Sequence, residues 1–282
     1  MRQAISRKAP EYVTLSTINQ DMPFPDSERT IYGRNPLDEV ICQLRFPPVL
    51  KIDSELPTAF QEAIRNEYPL YKEQRVSVQA GAMPEQLSQV FASLIPQNAG
   101  KAYEFAASDE RWKITLSRDF LALTCMRYER WEDFNRHFEP SVNVLVEQYK
   151  PAFYSRIGLR YRDVIVRSSL GLTDVAWSDL LQPHIAGVLG STVATSIEEI
   201  THQLTMKQQK HDGKLTLQHG TAKLRDSSEE CYYIDADFFK DTKTPIGEAQ
   251  SILNYFNRQS GKLFRWCITD RLHNAMEPAA VA

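Results

Sequence analysis

Between Trp131 and Tyr149 the large apolar residues Trp131, Phe134, Phe138, Val142, Leu145 and Tyr149 recur every three or four positions, which places them on one face of an α-helix. Pro140 falls inside this pattern, where it removes a backbone donor and crowds the preceding turn, so a bend or a pair of helices sharing one face is expected. Lys150-Pro151 ends the helix. Phe153, Ser155, Ile157, Leu159 and Tyr161 then alternate with Tyr154, Arg156, Gly158, Arg160 and Arg162, the two-residue period of a strand with one packing face and one basic face.

The same patterns parse the rest of the chain. Asn35-Pro36-Leu37 opens a strand carrying Val40, Cys42, Leu44 and Phe46 on one side, closed by Pro47-Pro48. A short helix over 57–68 carries Phe60 and Ile64, a strand follows over 71–80, and 80–102 reads as an insertion or lid punctuated by Gly and Pro. Residues 102–107, 111–116 and 120–127 form a three-strand meander that leads into the helix at Trp131. Beyond Val166 a helix is expected over 173–181, stopped by Pro183. Ile200, His202, Leu204 and Met206 then mark a strand that turns at His211-Asp212-Gly213 and returns through Leu215 and Leu217. Residues 231–239 make a further strand. Pro245 starts a helix bearing Ile246, Ala249, Leu253 and Phe256, and Thr269 caps a last helix with Leu272 and Met276.

Each half thus reads as several antiparallel strands followed by one long amphipathic helix. The expected fold is α+β, built from two related units. The expected divisions are an N-terminal arm over 1–34 anchored by Phe24 and Tyr32, a first unit over 35–167, a connecting segment over 168–195, a second unit over 196–276 and a tail over 277–282.

Composition narrows the functional classes. With 42% hydrophobic residues in 282 the chain can build a full core, and a net charge of −3 (33 Lys plus Arg against 36 Asp plus Glu) gives no general attraction to nucleic acid or anionic membrane. No apolar run is long enough to span a bilayer and no leader pattern is visible at the N-terminus, so a cytoplasmic protein without membrane partners is expected. Cys42, Cys125, Cys231 and Cys267 are widely spaced, and reduced buried thiols are the expectation.

Three constellations could carry chemistry. Arg156, Arg160 and Arg162 on one strand face, with Arg127 and Arg130 near in sequence, could grip phosphate or carboxylate, or could pair with acids from neighbouring strands. Asp235 and Asp237 share a face and are weak metal candidates; pairing with the arginine row is the alternative. The six histidines lack metal-ligand spacing, although His202 and His219 can meet across the hairpin. Catalytic elbows and phosphate loops are absent, so neither catalytic residues nor a cofactor are assigned and the chain reads as a non-enzyme.

Asn35-Pro36-Leu37-Asp38-Glu39-Val40, Tyr128-Glu129-Arg130-Trp131-Glu132-Asp133-Phe134, Arg156-Ile157-Gly158-Leu159-Arg160-Tyr161-Arg162 and Ile268-Thr269-Asp270 together resemble a sporadically distributed bacterial protein family associated with mobile or defence-type loci. The likeness covers roughly residues 35–276, with Asp163 standing where the family often has Asn. It implies a non-catalytic partner-binding or sensor subunit of an anti-phage or toxin-antitoxin type complex, docking on an ATPase or nuclease encoded nearby. A nucleic-acid binder using the arginine face is the first alternative, and a metal-dependent enzyme at Asp235 and Asp237 the second.

Overall fold

The computed structural model describes residues 24–75 and 101–280. Its centre is one antiparallel sheet of nine strands: β2 (Leu37–Arg45), β3 (Leu70–Arg75), β4 (Lys101–Ala106), β5 (Trp112–Ser117), β6 (Phe120–Cys125), β7 (Arg156–Val166), β8 (Thr201–Lys207), β9 (Lys214–Lys223) and β10 (Glu230–Lys240). In space they run β3-β4-β5-β6-β2-β7-β10-β9-β8, so one hydrogen-bonded sheet passes through strands from both halves of the chain. The antiparallel β2–β7 pair lies at the middle.

Register shows how the alternation is used. Directly opposed residues share a sheet face, and one apolar row crosses all nine strands: Tyr71, Phe105, Ile114, Leu123, Cys42, Leu159, Phe238, Leu215 and Met206. The helices cover this face. Helix α1 (Leu50–Ser54) receives the Tyr103 hydroxyl on the Ile52 carbonyl, α2 (Thr58–Ile64) sets Phe60 against Phe105, and α3 (Trp131–Tyr149) sets Phe134 against Trp112. In the second half, α4 (Trp177–Leu180) places Trp177 against Tyr232, α5 (Pro183–Ala186) buries Ile185, and α6 (Ala249–Cys267) sets Phe256 against Phe238.

Most expected elements are present, and two differ. The 131–149 segment is one uninterrupted helix: Pro140 sits on its exposed side, where the ring faces away from the core while Trp131, Phe134, Phe138 and Leu145 stay buried. The helix expected over 173–181 shrinks to the single turn of α4, because Ala176 and Leu181 take extended conformations on either side of it (ψ 146° at both) and Pro183 opens α5 at once. The strand expected over 71–80 is described as far as Arg75, and the insertion at 80–102 falls almost wholly outside the described residues.

The last turns explain the arm. Thr269 caps α7 (Asp270–Ala275) by accepting from the Leu272 amide, and residues of the expected tail form β11 (Pro278–Ala280), which pairs with β1 (Thr30–Tyr32). Phe24 packs on Trp266 with ring centres 5.6 Å apart. Tyr32 packs edge-on to Phe264 at 5.7 Å and bonds His273 Nδ1 through its hydroxyl at 2.9 Å, so both expected anchors hold the described part of the arm down. All four cysteines are free and buried. Among the described residues no helix is long and apolar enough to cross a membrane.

Candidate functional site

The five arginines singled out by the sequence do not form one surface. Arg156, Arg160 and Arg162 do share the face of β7 opposite the described helices, and of the two uses the alternation left open, a grip on an anion or pairing with acids of neighbouring strands, pairing is the one found. Arg156 Nη2 reaches both carboxylate oxygens of Asp237 at 3.0 and 2.8 Å, Arg160 makes a two-pronged pair with Asp235, and Arg162 contacts Asp38 and lies 3.4 Å from Glu39. Arg160 and Asp235 are 3% and 2% exposed. The reason lies in β10, where Asp235 and Asp237 stand opposite Arg162 and Arg160 and bring one negative charge for each of two guanidiniums.

The metal candidates Asp235 and Asp237 are therefore engaged by arginine. Among the described residues no group of three or more His, Cys, Asp or Glu is placed to hold a metal ion. Gly158 belongs to the same arrangement, since a Cβ there would stand 2.1 Å from Arg156 Nη1. His202 and His219 do meet across the hairpin, ring centres 5.2 Å apart. Burial, with the two neighbouring histidines His202 and His184, pulls His219 down to about 4.

Arg127 and Arg130 lie in the loop between β6 and α3. Arg127 is exposed and directs Nη2 at the Asp109 carbonyl at 3.5 Å. Arg130, also exposed, immediately precedes α3 in extended backbone and lines a cavity of about 320 Å3 on the helix-bearing side of the sheet, across from Arg160. The volume sits at the lower end of the roughly 300–1,000 Å3 range of small-molecule sites.

This cavity is built by four elements. The arm from Ser27 to Tyr32 closes one side, Tyr128 to Trp131 another, Asn257 to Arg265 of α6 a third, and Leu37, Tyr161 and Asp163 of β2 and β7 form part of the lining from the sheet. Local bonds hold the walls. Trp131 Nε1 donates to Asn254 Oδ1 at 2.8 Å, Tyr161 donates to Asn257 Oδ1 at 2.9 Å, and Asn35 Nδ2 donates to the Tyr128 carbonyl at 2.7 Å. The rim is cationic. Arg29 pairs with Glu132 at 2.6 Å, and Lys262 and Arg265 contact Asp26 and Asp270, whereas Arg130 and Arg258 have no ion-pair partner among the described residues.

Among the residues lining the cavity, Asp163 is one that ordinary packing does not explain. It sits on the apolar parity of β7, between Tyr161 and Ile165, and is 6% exposed. Its carboxyl makes no hydrogen bond or ion pair among the described residues. Burial, reinforced by the negative Asp235 across the sheet, pushes it well above the usual carboxylate range, so the group is held in its neutral form. Burial likewise pushes Tyr32 up to about 12 and raises Tyr128 and Tyr161, leaving neutral phenols around the acid. The signal was present in the sequence: in Arg156-Ile157-Gly158-Leu159-Arg160-Tyr161-Arg162-Asp163-Val164-Ile165-Val166 the only charged residue in phase with Ile157, Leu159, Tyr161 and Ile165 is Asp163.

Comparison of the chain with protein-family models and with curated proteins gives no match.

Proposed function

We propose that this chain is a non-catalytic sensor subunit that binds a small anionic ligand in the cavity between the arm, α3 and α6. The observation that carries this reading is the buried, unpartnered carboxyl of Asp163 in a cavity whose rim holds two arginines, Arg130 and Arg258, without ion-pair partners among the described residues. The carboxyl lines the cavity, and a ligand bound there could supply the hydrogen-bond partner that no protein group provides among the described residues. Among the described residues no serine or threonine of the cavity lining has a histidine or carboxylate as hydrogen-bonded base, and the Tyr32 hydroxyl bonded to His273 belongs to a phenol that burial keeps neutral, which is why binding rather than turnover is the reading.

The arm supplies a route from ligand to partner. It lines the cavity and pairs through β1 with β11, so occupancy would bear on the surface formed by these two strands. That the partner is a nearby ATPase or nuclease of an anti-phage or toxin-antitoxin type complex rests on the family resemblance alone. The two halves read as related units: β2, β6, β5, β4 and α3 correspond in order to β7, β10, β9, β8 and α6 about the central β2–β7 pair.

The test is calorimetric titration of the protein with inorganic phosphate, ribose 5-phosphate and AMP. At least one should bind, and the double variant R130A/R258A should weaken it about tenfold or more, the loss expected for charge-assisted contacts. No binding by any of the three would refute the reading. Co-expression with neighbouring genes tests the partner: a monomer eluting apart from every neighbour contradicts a subunit role.

A further inference from the structure

The chemistry of the cavity goes further than charge and names the part of the ligand that lies deepest. Asp163 belongs to the central strand β7, so its carboxyl stands at the sheet side of the cavity, while Arg130 and Arg258 are exposed at its rim. Tyr32, Tyr128, Trp131, Tyr161 and Phe264 line the space between. Tyr128 and Tyr161 meet edge-to-face with centres 5.7 Å apart, and both phenols donate to the single acceptor Asn257 Oδ1, so they are committed as walls rather than as ligand donors.

A carboxyl with no cation beside it and no donor aimed at it is neutral in a buried site. A neutral carboxylic acid presents one hydroxyl donor beside one carbonyl acceptor. The complementary partner is an edge in which a ring nitrogen acceptor sits beside an exocyclic amino donor. Adenine and cytosine carry such an edge. Guanine offers two adjacent donors and suits an ionised carboxylate, and uracil offers an imide without an amino group.

Resting on the ligand-binding reading above, we infer that the cavity takes a nucleotide-like monophosphate whose amino-azine base pairs with the Asp163 carboxyl and stacks among the aromatic walls, with its phosphate at Arg130 and Arg258. Aromatic stacking of a base is worth about 1–3 kcal/mol, and an unmatched polar edge in a buried site discriminates more strongly than missing apolar contact. Recognition is thus placed on the base edge, while the rim reads only charge.

The experiment measures binding of AMP, CMP, GMP, UMP and ribose 5-phosphate to the wild-type chain and to the variants Asp163→Asn and Asp163→Leu. AMP or CMP should bind at least about tenfold tighter than GMP, UMP and ribose 5-phosphate. Asp163→Asn keeps one donor and one acceptor and should hold the preferred nucleotide within about threefold, whereas Asp163→Leu should lose about tenfold or more. Circular dichroism and melting curves establish that both variants fold; if Asp163→Leu does not, the Asn variant and the base ranking decide. Equal binding of all five probes, a preference for GMP, or a loss in Asp163→Asn as large as in Asp163→Leu would overturn the base assignment and leave the anion site standing. Failure of every probe, ribose 5-phosphate included, would remove the cavity reading as well.

Discussion

Arg160 and Asp235 form a two-pronged ion pair across β7 and β10, with Nε to Oδ1 at 2.6 Å and both side chains almost wholly withdrawn from solvent. The pair sits one step off the direct cross-strand register, since Arg160 stands opposite Asp237 and Asp235 opposite Arg162. Diagonal pairing lets Arg156 take Asp237 and Arg162 take Asp38 and Glu39, so the guanidiniums interlock with acids from both neighbouring strands.

Breaking this lattice from one side leaves a buried charge. Asp235→Ala should destabilise the protein by about 3–5 kcal/mol, while the double variant Arg160→Met/Asp235→Leu should recover most of that loss. Urea unfolding checks both. A single variant costing less than about 1 kcal/mol would show that the pair is solvated in solution.

Asp163 makes stability depend on pH in a sense opposite to that of ordinary carboxylates. Its folded-state pKa lies above its unfolded value, so the native state is not penalised below the unfolded pKa of about 3.9 and loses stability as pH rises through the interval up to the folded pKa. Asp163→Asn should therefore melt close to wild type near pH 3 and progressively above it as pH rises towards 7. Melting curves across that range check the sign, and parallel curves would contradict a neutral native acid.

His219 acts in the other direction. Burial holds it near 4 against about 6.5 when unfolded, so its contribution is intact above pH 6.5 and is lost as pH falls towards 4, on the order of 3 kcal/mol across the window. His219→Gln should unfold at lower pH than wild type when each is referred to its own stability at pH 7. An acid midpoint unchanged by the substitution would place the titration elsewhere.

Pro140 interrupts the hydrogen bonding of α3 without breaking the helix. Because it is exposed, Pro140→Ala should restore a donor with no loss of packing and stabilise the fold by about 1–3 kcal/mol. Chemical denaturation checks the gain, and a loss would mean that the proline shapes a contact of its own.

Periodicity was enough to find α3, β2, the three-strand meander over 102–127 and the last two helices, whereas Phe24 and Tyr32 were legible only as large aromatic residues in an otherwise polar arm. It could not find the strand order, since pairing β2 with β7 and β7 with β10 joins segments more than fifty residues apart through backbone bonds that leave no side-chain signature. The candidate site shows the same division. Alternation correctly put Arg156, Arg160 and Arg162 on one face, but whether a guanidinium is free depends on the acids a neighbouring strand brings, and Asp235 and Asp237 arrive in matching register. Arg130 was legible as a charge, not as the rim of a cavity formed by four separate elements. Asp163 was legible by its parity on β7, and what made it distinctive was the absence of a partner in three dimensions.

The most direct measurement is hydrogen–deuterium exchange of the wild-type protein, free and saturated with whichever of AMP, ribose 5-phosphate or inorganic phosphate binds most tightly. Ligand in the cavity should slow exchange in the arm over 27–35, at the start of α3 over 128–133 and in α6 over 257–265. Unchanged exchange in all three segments at full saturation would contradict the account.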